Sequence, residues 1–134
     1  MKKLLWLDDI RNPFDKEVDW MMFSAIGRDV EIHWVKSYDE FTAWIEENGL
    51  PDAINFDHDL GENVAKERVS KGMSKRGARK LKRETLSGFD CTKWLVNYCI
   101  DNKKSLPKWY THSANPVGRD NINAYLTNYN KTHR

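Results

Sequence analysis

Residues 53–61 read AINFDHDLG. Ala53 to Phe56 are mostly apolar and strand-compatible, two carboxylates follow two residues apart, and Leu60-Gly61 breaks the extended run. The pattern predicts a buried strand whose C-terminal end delivers acids to a pocket, the place where open parallel α/β sheets keep their ligands. If the strand runs on to Asp59, its two-residue period sets Asp57 and Asp59 on one side and His58 on the other.

Two other stretches share this plan. Leu4 to Leu7 (LLWL) ends at Asp8-Asp9, and Lys108 to Thr111 (KWYT) ends at His112-Ser113-Ala114-Asn115-Pro116. Asn115 is suited to cap a helix and Pro116 to start it, with Ile122, Tyr125, Leu126 and Tyr129 as its core face. That helix N-terminus, with Arg119 in its first turn, is suited to hold a phosphate. Between these stretches, Val30 to Val35 alternates as a strand. Ser37-Tyr38-Asp39-Glu40 reads as a capping box ahead of a helix carrying Phe41, Trp44 and Ile45, stopped by Gly49-Leu50-Pro51. Asn12-Pro13 predicts a further helix through Phe14, Val18, Met21, Met22 and Ala25. Phe89, Trp94, Leu95, Val96, Cys99 and Ile100 mark another, introduced by Ser87-Gly88.

The order β-α-β-α-β-insert-α-β-α predicts one α/β domain over residues 1–134. Short connections and right-handed crossovers make it a three-layer, doubly wound, mostly parallel four-stranded sheet in the order 2-1-3-4, with helices on both faces. Strands 1, 3 and 4 are then neighbours. Asp8, Asp9, Asp57, Asp59, His112 and Ser113 converge at one end.

Net charge is only +2, but residues 66–83 hold nine Lys and Arg against the single acid Glu67. The chain reads as an acidic domain with one basic insert at about residues 62–87, too long for an ordinary connection. The insert is either a solvated loop or a nucleic-acid contact through Lys75, Arg76 and Arg79. Cys91 and Cys99 sit on one predicted helix, too far along its axis to pair easily, and without the histidine spacing of a zinc site. No apolar stretch approaches the ~20 residues that span a bilayer, and acids arrive by position 8, before a signal-peptide core could form. The expectation is a cytoplasmic protein with no membrane partner.

Several carboxylates in one pocket cannot all stay ionised unaided. A divalent cation removes that cost, and all-oxygen ligands favour Mg²⁺ or Mn²⁺, so Asp8, Asp9, Asp57 and Asp59 are the expected metal ligands. Phosphoester chemistry suits such a centre. Asp57 is placed to attack phosphorus or to activate water, Ser113 to hold phosphoryl oxygens, and His112, or His58, to pass a proton to the leaving oxygen.

Asp8-Asp9, Asp57 and Ser113-Ala114 resemble the acids and the Thr/Ser-Ala of response-regulator receiver domains, whose flavodoxin-like sheet binds Mg²⁺ and accepts a phosphoryl group on the strand-three Asp. LWLDDIRNP, FDHDLG, SGFDCTKWL and THSANPVGRDNINAYL resemble, more closely, the cyclic-phosphate processing receiver-like family. That resemblance covers residues 4 to about 129 apart from the insert. It implies a cyclic phosphate as substrate, an RNA 2′,3′-cyclic end or a cyclic nucleotide, in RNA repair or cyclic-nucleotide contexts that include phage genomes. A signalling receiver's fifth strand and its Lys have no counterpart here, and Arg119 is the candidate substitute. Direct phosphate chemistry is therefore expected before a phosphorelay. The alternatives are a non-catalytic module that binds phosphorylated or nucleic-acid ligands through His58, Asn115, Arg119 and the insert, and a protein-interaction domain.

Overall fold

The structure, a computed structural model, describes residues 1–17, 19–60, 69–77, 80 and 86–132. Its strands are β1 (Lys2–Leu7), β2 (Val30–Val35), β3 (Ala53–Phe56) and β4 (Lys108–Thr111). Three α-helices lie wholly within the described residues: α1 (Tyr38–Asn48), α2 (Gly88–Asn102) and α3 (Pro116–Thr132). All three strand pairings are parallel, and the order β2-β1-β3-β4 is the one expected from the sequence. Among the described residues, no helix is long and apolar enough to cross a membrane.

Alternation along the strands divides the core. Leu5 and Leu7 of β1 and Ile54 and Phe56 of β3 face the three helices, packing with Phe41 and Ile45 of α1, Leu95 and Cys99 of α2, and Ile122 and Leu126 of α3. Leu4, Trp6 and Ala53 face the other way, onto Trp20, Met21, Ala25 and Ile26. Local signals set the helix ends. The Ser37 hydroxyl accepts from the Glu40 N–H and starts α1, and Gly49, at φ 82°, stops it. Ser87 and Asp90 form a reciprocal capping box on α2.

The helix expected from Pro13 to Ala25 does not form. Asn12 caps a single turn through the Phe14 N–H, but the Asp15 carboxylate then accepts from the Glu17 N–H and ends it. Only a short 3-10 turn, Trp20–Phe23, follows, while Val18 lies outside the described residues. This irregular segment supplies the third layer, and a buried strand residue fastens it. Asn55 on β3 accepts from the Ala25 N–H at 3.2 Å and donates to the Phe23 carbonyl at 2.6 Å. Asn55→Ala would leave both backbone groups without partners and is expected to cost roughly 2 to 4 kcal/mol, read as a lower urea midpoint at unchanged slope.

Candidate metal and phosphate site

The pocket is built by three strands ending in step. Leu7 pairs with Phe56, and Phe56 with Thr111. The ladder then runs one residue further, because the N–H groups of Asp8, Asp57 and His112 donate to Val35, Leu7 and Phe56 carbonyls at 3.1, 3.0 and 2.9 Å. Asp8, Asp57 and His112 therefore stand side by side, with Asp9 and Ser113 one position on. Asp8, Asp9, Asp57 and Ser113 are all buried. One carboxylate oxygen from each of Asp8, Asp9 and Asp57 lies within 4.8 Å of the other two.

The carboxylates differ in electrostatics. Burial pushes Asp8 up, but hydrogen bonds from the His112 ring and from the Arg11 and Ile10 N–H groups outweigh it and hold the carboxyl below its ordinary value. All four acceptor positions of Asp8 are in use: Oδ1 accepts from the N–H groups of Ile10 and Arg11, both at 2.9 Å, and Oδ2 from His112 Nε2 at 2.9 Å and Arg11 Nη1 at 3.2 Å. Asp57 goes the other way. Burial and the charges of Asp8 and Asp9 raise it to about 7, against the opposing pull of Arg11 and of a hydrogen bond from Ser113. A third negative charge is thus only marginally tolerated. Three buried carboxylates of this kind fit a hard divalent cation, which would relieve that repulsion through the oxygen ligands Mg²⁺ and Mn²⁺ prefer.

Several sequence expectations change here. Asp59, expected as a fourth ligand, is not in the trio. The chain leaves the strand after Phe56, so the two-residue period stops applying before Asp59. Its carboxylate instead meets His58 Nδ1 at 2.8 Å and the Asn115 amide at 3.4 Å. His112, expected as a proton carrier, backs Asp8. Its side chain is 1% exposed and its ring stacks on Trp6 at 4.3 Å. Burial is the main reason that its pKa lies below the ordinary value. The neutral ring must carry its proton on Nε2 to donate to Asp8. His58 is the more open histidine, its side chain 21% exposed.

Asn115 caps α3 as expected, its Oδ1 accepting from the Gly118 N–H at 3.1 Å, and Ser113 Oγ accepts from the Asn115 N–H at 3.1 Å. Arg119 is exposed and meets Asn115 only through its own backbone N–H. Among the described residues, the guanidinium that meets these acids is that of Arg11, 3.2 Å from Asp8 and 3.8 Å from Asp57. Lys75 and Arg76 are exposed, and Arg79 lies outside the described residues.

Two glycines hold the pocket loops together. A Cβ on Gly88 would lie 1.9 Å from the Asp57 carbonyl oxygen, and one on Gly118 would lie 2.3 Å from His58 Cγ. The sequence signal for Arg11 was its position three residues after Asp8, in reach of that carboxylate across a tight turn. The glycines gave no signal beyond their places at helix starts.

The sequence model of the cyclic-phosphate processing receiver domain family matches residues 3–128. No curated protein and no solved structure matches the chain.

Proposed function

The chain belongs to the cyclic-phosphate processing receiver domain family, and from that premise we propose that it hydrolyses a cyclic phosphodiester, a 2′,3′-cyclic RNA end or a cyclic nucleotide, at the Asp8, Asp9 and Asp57 trio. The observation that carries this reading is the trio itself, buried, within 4.8 Å, with Asp57 raised to about 7. Bound there, Mg²⁺ or Mn²⁺ would neutralise the trio and polarise a phosphoryl oxygen.

Hydrolysis joins a water oxygen to phosphorus, breaks one ester P–O bond and releases a hydroxyl. Asp57, kept ionised once the cation offsets the charges of Asp8 and Asp9, accepts the proton of the attacking water. Ser113, whose side chain lowers the Asp57 carboxyl against its burial, would hold phosphoryl oxygens. His58, its Nδ1 held by Asp59, returns a proton to the departing oxygen. His112 keeps Asp8 ionised and pointed at the pocket. α3 begins at Pro116, three residues after Ser113, and its N-terminal end would meet the phosphate.

The test is turnover of a 2′,3′-cyclic nucleotide with Mg²⁺ or Mn²⁺, against a linear phosphomonoester as comparison. Hydrolysis of the cyclic ester that stops with EDTA supports the reading, and binding without turnover in either metal sinks it. Gly118→Ala should displace the His58 ring and lower turnover roughly tenfold or more, while Mg²⁺ affinity stays at the wild-type value.

A further inference from the structure

We propose that Arg11 serves the pocket from two positions. In the metal-free protein it is the counter-cation of Asp8 and Asp57, and once a divalent cation holds the carboxylates its guanidinium grips the substrate's phosphoryl oxygens. This rests on the reading of the trio as a metal site. A carboxylate offers about four lone-pair positions, and four donors already fill those of Asp8, so an incoming cation must displace one of them. Two are backbone N–H groups of the turn that carries Asp8. The third is the His112 ring, closed into its stack on Trp6. The Arg11 head is the remaining one, the longest of the four bonds at 3.2 Å and on a side chain 26% exposed.

Only that head can move. The Arg11 N–H is tied to Asp8 Oδ1, and its carbonyl accepts from Trp6 Nε1 at 3.0 Å, so the side chain swings from a fixed root. Its guanidinium carbon already lies 5.4 Å from the Trp20 ring centroid, an aromatic face that tolerates a cation away from the carboxylates. A guanidinium fork that suits carboxylate oxygens suits phosphate oxygens equally, and a divalent charge on the same acids repels it from its first position.

The experiment uses Arg11→Gln and Arg11→Lys and two calorimetric titrations near pH 8.5, where Asp57 is ionised: Mg²⁺ alone, then inorganic phosphate at saturating Mg²⁺. Arg11→Gln should bind Mg²⁺ tighter by roughly three- to tenfold, having lost the competing cation. It should bind phosphate roughly ten- to a hundredfold more weakly. Arg11→Lys keeps the charge but not the fork, so its Mg²⁺ affinity should stay near wild type while phosphate binding still falls. Unchanged or weaker Mg²⁺ binding by Arg11→Gln overturns the first position, and unchanged phosphate binding by either variant overturns the second. Should Arg11→Gln fail to fold, the phosphate titration of Arg11→Lys decides. A wild-type chain that takes up no Mg²⁺ defeats the metal reading itself, a result distinct from either failure of the variants.

Discussion

Asp57→Asn is expected to lower metal-dependent turnover by roughly a hundred- to ten-thousandfold and, in the metal-free protein above pH 7, to raise stability. The two effects share one cause. In the unfolded chain an aspartate titrates near its ordinary value of 3.8, whereas in the fold Asp57 keeps its proton to about 7. The folded state binds the extra proton in that window. The stability contributed by this group is therefore complete below 3.8 and is lost as pH rises through about 7, by at most roughly 4 kcal/mol. Asparagine carries no charge to desolvate, so the variant escapes the loss. Asp8 works in the opposite sense, its contribution standing above 3.8 and disappearing as pH falls below it. His112, held neutral chiefly by burial, adds stability over the rise from pH 5 to 8, so the informative quantity is the difference between the two proteins. Urea midpoints without metal should separate wild type from variant more widely at pH 8 than at pH 5, and added Mg²⁺ should close the gap from the wild-type side. Equal midpoints at both pH values would mean that Asp57 carries no penalty for its charge.

Gly88→Ala should do more damage than alanine at any other described glycine. Its Cβ would stand 1.9 Å from the Asp57 carbonyl oxygen, 2.8 Å from the Asp57 carbonyl carbon and 3.1 Å from His58 Cα. These are backbone atoms with no rotamer to yield. The Gly88 N–H also donates to the His58 carbonyl at 2.8 Å, so moving α2 outward breaks the bond that fixes the acid loop. A cost of about 4 kcal/mol or more is expected, with loss of Mg²⁺ binding in whatever folds. Gly77→Ala is the matched control, since the nearest atoms to its Cβ are side-chain atoms of Met73 and Ser74, at 3.2 Å. It should change stability by about 0.5 kcal/mol or less. Comparable urea midpoints for the two variants would contradict the close packing assigned to Gly88.

Where periodicity and capping chemistry agree, the sequence was legible. Four strands, their order, and the helices at Ser37, Ser87 and Asn115 are all recoverable from alternation, capping residues and Gly or Pro stops. The approach of Asp8, Asp9 and Asp57 follows from that order alone, because each closes a strand that neighbours the next. Residues 13–25 misled because helical spacing of Phe14, Met21 and Ala25 coexists with Asp15, whose side chain ends the turn after one cycle. Asn55, inside an apolar strand, signalled nothing as a letter. Its value lies in two backbone groups some thirty residues away. Asp59 was read by strand period although the strand had already ended, and His112 by chemistry without the Trp6 ring that closes over it. Arg11 escaped notice because its partners are contributed by two different strands.

The trio can be tested directly by titrating the metal-free protein with Mg²⁺ at pH 7 in two buffers of different ionisation enthalpy. The account predicts one ion bound per chain with release of part of a proton, because Asp57 is about half protonated there, and neither binding nor release in Asp57→Asn. Mg²⁺ uptake of equal strength in wild type and Asp57→Asn, or no uptake by the wild-type chain, would contradict it.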